Sequence, residues 1–150
     1  MEIIPKRNAL AIPYRVLLQF FEKWVKLPNI NPSFYNLAGI GLSILYLYTH
    51  THWLKIAIIF LICLFDWFDG ATARRHNKCS RSGYIIDNTT DRVSEAFIFT
   101  TEAGTILGQI FYVLWLCNLV LAFFSVYSNK HTSLPLRFVF MLLLLLKIAI

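Results

Sequence analysis

Five apolar stretches, at about 33–49, 53–73, 83–104, 106–127 and 134–150, fill most of this 150-residue chain and are joined by short polar turns. Each approaches the roughly 20 residues that a helix needs to cross the hydrocarbon core of a bilayer. In that setting a segment has to satisfy its own backbone hydrogen bonds, which a helix does. The composition agrees: 57% of residues are hydrophobic and 15% charged, against roughly a quarter charged in a soluble domain. With 6 Gly, 5 Pro and 3 Cys, the chain is neither a disordered or collagen-like polymer nor a disulfide scaffold.

Residues 1–30 differ in character. Pro13, Leu17, Phe20, Phe21 and Trp24 recur at helical spacing, and Arg15, Gln19, Glu22, Lys23 and Lys26 fill the opposite face. This is the pattern of an amphipathic helix lying in the membrane interface, a soluble amphipathic helix being the alternative. Pro13 suits a first helical turn, and Pro28, Asn29 and Asn31 end the segment. Charges run throughout it, so no cleavable leader is expected.

Lys and Arg gather before the first stretch, between the second and third (Arg74, Arg75, Lys78, Arg81) and after the fourth (Lys130, Arg137). The turn at 50–53 has only Lys55 nearby and the turn near Thr105 has none. By the excess of basic residues on the cytoplasmic side, the N terminus and the 74–82 loop are expected in the cytoplasm. The net charge of +6 is therefore topological; scattered between apolar runs, it forms no stripe that would follow a nucleic-acid backbone. Cys63, Cys79 and Cys117 have no disulfide or paired-thiol spacing and are expected to be reduced. His50 and His52, beside Trp53, read as interfacial residues rather than metal ligands.

Acid is placed more selectively than base. The only aspartates, Asp66, Asp69, Asp87 and Asp91, lie at or inside the cytoplasmic ends of the second and third stretches. An ionised carboxylate is costly there and has to face a polar cavity and meet cations. On helices, Asp66 and Asp69 share one face, as do Asp87 and Asp91. The short loop between them predicts antiparallel neighbouring helices, which brings the four carboxylates together. With no His or Cys ligand beside them, they repel one another unless hard divalent cations such as Mg²⁺, Mn²⁺ or Ca²⁺ bind between them. Two such cations can grip a pyrophosphate and stabilise displacement at phosphorus. Gly70 and Ala73 keep the adjoining surface low, and Arg74 sets a cation at its mouth.

The run Asp66-Trp-Phe-Asp69-Gly70-Ala-Thr-Ala73-Arg74, then eight residues, then Gly83-Tyr-Ile-Ile-Asp87-Asn-Thr-Thr-Asp91, resembles the signature of the CDP-alcohol phosphotransferases, also called CDP-alcohol phosphatidyltransferases, at all eight fixed positions. The resemblance implies transfer of a phosphatidyl-type group from a CDP-linked lipid, CDP-diacylglycerol or CDP-archaeol, to the hydroxyl of a small polar alcohol, with release of CMP. It implies that Asp66, Asp69, Asp87 and Asp91 hold two divalent cations, Mg²⁺ or Mn²⁺, and that Asp91 also takes the proton from the attacking hydroxyl. By the same resemblance Gly70, Ala73 and Arg74 line the CDP site and Gly83 permits close helix approach. A homodimer is implied as well; Tyr112, Trp115, Phe123 and Phe124 on the fourth stretch face either a second copy or lipid.

Beyond the signature, Pro32-Ser33-Phe34-Tyr35-Asn36 is similar to the family's Pro-Asn-x-x-Thr element with both polar residues changed. Family members typically have six spans and five are legible here, so the chain is expected to be naturally short or truncated. A silent relative acting as a membrane partner subunit is one alternative reading. A divalent-cation carrier is another, which explains the acids but not the spacing of Gly70, Ala73, Arg74 and Gly83. Arg92 directly after Asp91 is similar to the branch that makes phosphatidylinositol phosphate or its archaetidyl counterpart; inositol phosphate or glycerol phosphate is the favoured acceptor. Glu95 is expected to pair with a nearby Arg, and Glu102 to be interfacial. The expectation is one all-α integral membrane domain over 1–150, with an interfacial helix within 1–30 and about five spans over 33–150 around a cytoplasm-facing polar cavity.

Overall fold

The computed structural model describes residues 6–7, 25, 27–128, 130–131 and 134–149. The amphipathic helix expected at 13–24 lies outside the described residues. Five helices follow the five apolar stretches: α1 (Ser33–Leu47), α2 (His52–Arg75), α3 (Arg81–Glu102), α4 (Ile106–Ser128) and α5 (Leu136–Ala149). Two two-residue strands, β1 (Lys6–Arg7) and β2 (Lys130–His131), pair in parallel.

The helix boundaries have local causes. Asn31 opens α1, its Oδ1 accepting from the Ser33 N–H at 3.1 Å. Arg74 and Arg75 sit in the last turn of α2, at the negative end of the helix dipole. That helix stops because Asn77 takes a left-handed backbone (φ 53°), which returns the Lys78 N–H to the Ala73 carbonyl at 2.8 Å. Ser80 then caps α3, its Oγ accepting from the Gly83 N–H at 3.0 Å. Thr105 does the same for α4 through the Gly108 N–H, also at 3.0 Å.

Close packing runs round a ring: α1 against α2 and α3, α3 against α4, α4 against α5, and α5 back against α2. Helices α2 and α3 are therefore not the direct neighbours that their short loop suggests; α1 packs on both, and they meet through side chains across the interior. Toward one end that interior is apolar. Phe99, Phe111 and Phe140 form a triplet with ring centroids 4.9–5.5 Å apart, surrounded by Ile59, Ile62 and Ile98. Beyond this layer Glu102, at the end of α3, takes hydrogen bonds from Tyr46 (2.9 Å) and Lys55, and is buried rather than interfacial as expected.

The outer surface is apolar too. Helices α2 and α4 are long and apolar enough to cross a membrane. In the most apolar stretch of α4 only 22% of the residues are buried, whereas the core helix of a soluble protein would be largely covered. Val113, Val120, Phe123, Phe124 and Tyr127 point outward from it. Trp115 does not; its indole N–H donates to the Arg92 carbonyl at 3.0 Å and it stacks near Tyr112. Between helices the contacts are small and polar: Ser43 with Ser94 at 2.6 Å, Tyr84 with Ser125, and Asn88 with the Ala122 carbonyl at 3.3 Å. At the loop end, Arg75, His76 and Lys78 reach the backbone carbonyls of Val25, Leu27 and Ile30 at 2.6, 3.3 and 2.9 Å, fastening the α2–α3 loop to the segment before α1.

The turn from α3 to α4 is built on one glycine. A Cβ at Gly108 would lie 1.8 Å from the Glu102 carbonyl oxygen, whereas one at Gly41 would meet nothing within 4 Å. Gly108→Ala is expected to cost at least about 2 kcal/mol through forced backbone movement. Gly41→Ala is expected to be neutral or slightly stabilising; comparing the two variants by denaturant unfolding in micelles tests the assignment.

Candidate active site

Between the apolar layer and the α2–α3 loop, the interior turns acidic. Asp66 on α2 and Asp87 and Asp91 on α3 each present a carboxylate oxygen within 4.8 Å of the others. Asp69, one turn beyond Asp66, is buried and lies against Asp87, carboxyl to carboxyl. The i, i+3 and i, i+4 spacings thus bring the sequence-predicted acids together across the ring. Asp87 Oδ1 is buried and has no hydrogen-bond partner among the described residues. An all-oxygen set with an orphaned buried oxygen is chemistry that a hard divalent cation could satisfy. Asp66, Asp87 and Asp91 form the tightest such set, with Asp69 beside it.

The cations of the protein itself are unevenly shared among these acids. Arg137, in the first turn of α5 and only 7% exposed, reaches Asp66 Oδ2 at 3.4 Å and Asp91 Oδ1 through the same nitrogen, Nη2. Arg92 Nη2 lies 3.8 Å from Asp91 Oδ2, but its Nη1 is committed to Glu95 at 2.9 Å. The expected pairing of Glu95 with an arginine is therefore present, and Asn118 adds an amide at 3.5 Å. Asn118 also clamps the chain before α5, donating to the Leu134 carbonyl at 3.1 Å and accepting from its N–H at 2.9 Å. Through this amide the start of α5, and with it Arg137, is tied to the centre of α4.

The remaining signature residues have visible local reasons. A Cβ on Gly70 would come within 3.0 Å of Arg74 Nη1, so the glycine leaves room for the guanidinium to fold back along its own helix. The Ala73 carbonyl accepts the bond that closes α2. Gly83 departs from expectation. Among the described residues the nearest atom to a Cβ there would be Ser80 Oγ, at 3.1 Å, so the space is used by the helix cap and not by a second helix.

Two residues at the site are not among those singled out from sequence. Asn36, which stands where the family element has Thr, donates from Nδ2 to Asp69 Oδ2 at 3.0 Å. Arg137 enters the sequence reading only as a topological charge, because an arginine at the start of the last apolar stretch is what a membrane boundary also produces. Tyr35, Asn36, Asp66, Thr90, Asp91 and Arg137 line a narrow cleft that opens beside the carboxylates.

No solved structure matches this chain. A protein of Aquifex aeolicus (strain VF5), described as uncharacterized, is 37% identical over 87 residues, an overlap covering 56% of this chain and 42% of that protein. The chain thus spans less than half the length of that relative. The family model for CDP-alcohol phosphatidyltransferase matches residues 25–148, a span that holds the whole acidic cluster, the Asn36 support and the Arg137 contact, and the chain belongs to that membrane-bound transferase family of phospholipid biosynthesis.

Proposed function

We propose that this protein transfers a substituted phosphate group from a CDP-alcohol, CDP-diacylglycerol or CDP-archaeol, to the hydroxyl of a small alcohol and releases CMP, at a site holding two Mg²⁺ or Mn²⁺ ions. The observation that carries this reading is the convergence of Asp66, Asp87 and Asp91 within 4.8 Å, with an unsatisfied Asp87 oxygen and Asp69 alongside. Asp66, Asp69, Asp87 and Asp91 would hold the cations, whose chemistry there is to neutralise the pyrophosphate and stabilise charge that develops at phosphorus. Asn36 orients the Asp69 carboxylate by donating to it.

In this reading the acceptor oxygen bonds to the phosphorus that carries the lipid alcohol as the bond from that phosphorus to the CMP oxygen breaks. Asp91, lining the cleft, takes the acceptor's proton. Gly70, Ala73 and Arg74 form the CDP side, where the guanidinium folded over Gly70 offers its charge to phosphate; Gly83 acts there by shaping the start of α3. All five helices cross the membrane, with the α2–α3 loop in the cytoplasm and lipid tails entering from the side. Inositol phosphate or glycerol phosphate is the favoured acceptor, and Arg92 after the last aspartate is the feature similar to the inositol-phosphate branch. The outward Phe123 and Phe124 are the aromatic surface left for a homodimer contact.

The direct test is CMP release from CDP-diacylglycerol and CDP-archaeol in bilayers, with and without Mg²⁺ or Mn²⁺, against inositol phosphate, glycerol phosphate, serine and inositol. Metal-dependent release with one acceptor is expected; none from a folded sample that binds the CDP-lipid would overturn the reading. Asp91→Asn is expected to lower kcat by about 10²–10⁴-fold while leaving the helical circular dichroism unchanged. Asn36→Leu is expected to weaken Mn²⁺ binding by about tenfold or more, because an unsupported ligand loses its orientation. Asn36→Thr, which keeps a hydroxyl donor, should lose less; equal losses in calorimetric titrations of the two variants would remove the positioning role.

A further inference from the structure

Arg137 differs from the other basic residues around the carboxylates in what it touches. Arg92 is divided between Asp91 and Glu95. In Arg137 a single nitrogen, Nη2, contacts both Asp66 and Asp91, two of the three acids whose oxygens converge. A hard divalent cation held by Asp66 and Asp91 would draw on the carboxylates that this guanidinium engages. The guanidinium and such an ion would compete for them. Asp69 and Asp87 are not bridged by this nitrogen, and Asp87 Oδ1 has no hydrogen-bond partner among the described residues.

We propose that Arg137 is an internal counter-ion that holds the Asp66–Asp91 edge until a divalent cation displaces it, so that the two metal positions fill in order and unequally. The first ion enters on the Asp69–Asp87 side, which Arg137 Nη2 does not bridge. The second enters only as Nη2 leaves Asp66 and Asp91, and that departure also releases the Asp91 carboxylate that the guanidinium had engaged. Loading the second ion and freeing the base are then one event. The inference rests on the metal-dependent reading above, and concerns how this chain's own arginine governs that site.

Mn²⁺ titration of the full chain in micelles, followed by the electron paramagnetic resonance signal of free Mn²⁺, separates the possibilities. The wild type is expected to bind in two separated steps. In Arg137→Gln the weaker step should tighten by about tenfold or more while the tighter one stays unchanged, because the competing cation is gone. Arg137→Lys keeps the charge on a shorter reach and should lie between them, and it carries the test should the Gln variant not fold. A second readout is thermal: without metal Arg137→Gln should melt below the wild type, with the gap closing at saturating Mn²⁺. Both steps unchanged or weakened in the folded variants would overturn the exchange while leaving the metal site standing. No Mn²⁺ bound by wild type or variants would instead remove the metal-dependent reading itself, and the exchange with it.

Discussion

Carboxylates inside a bundle of apolar helices cannot stand alone, and much of this structure answers that constraint. Desolvation of an ionised acid costs several kcal/mol unless a cation or hydrogen-bond donors replace water. Each buried acid has its own solution. Glu102 is closed off by Lys55 and Tyr46, and Glu95 by Arg92 and Asn118. The aspartates are treated differently: Asp66 and Asp91 share the Arg137 guanidinium, Asp69 has an amide, and Asp87 keeps an oxygen without a hydrogen-bond partner among the described residues. The structural acids have their partners within the bundle, while four acids crowd together at the signature.

The ring arrangement makes that crowding possible. Because α1 packs on both α2 and α3, the two acid-bearing helices can face one another at side-chain distance without their backbones closing the gap. The walls reach the acids too, since α1 contributes Asn36 and α5 contributes Arg137. The layer of Phe99, Phe111 and Phe140 then divides the acidic end from the Lys55–Glu102 cluster, so that the two polar regions do not compete for partners.

Much of this was legible in the chain because it rests on short-range periodicity. Apolar runs located all five helices, and the spacings of Asp66 with Asp69 and of Asp87 with Asp91 fixed which acids share a face. Glu95 could be assigned an arginine partner because Arg92 is one turn away. What was not legible depends on contacts between distant parts of the chain. Arg137 finds Asp91 across 46 positions and Asn36 finds Asp69 across 33, and no local pattern encodes such pairings. Loop length said that α2 and α3 run antiparallel but not that α1 would sit against both. At Gly83 and Trp115 the residue type was informative and its partner was not: the glycine serves a cap, and the indole turns inward to Arg92.

The fastening of the α2–α3 loop to the segment before α1 is made from one side only. In these hydrogen bonds Arg75, His76 and Lys78 supply the side chains, and Val25, Leu27 and Ile30 supply main-chain carbonyls. A carbonyl is the same whatever side chain follows it, so these bonds ask nothing of the side chains at Val25 and Ile30, while burial keeps Leu27 apolar. Substitution at those two less buried positions leaves the loop that carries α2 into α3 anchored, and with it the spacing of the four aspartates.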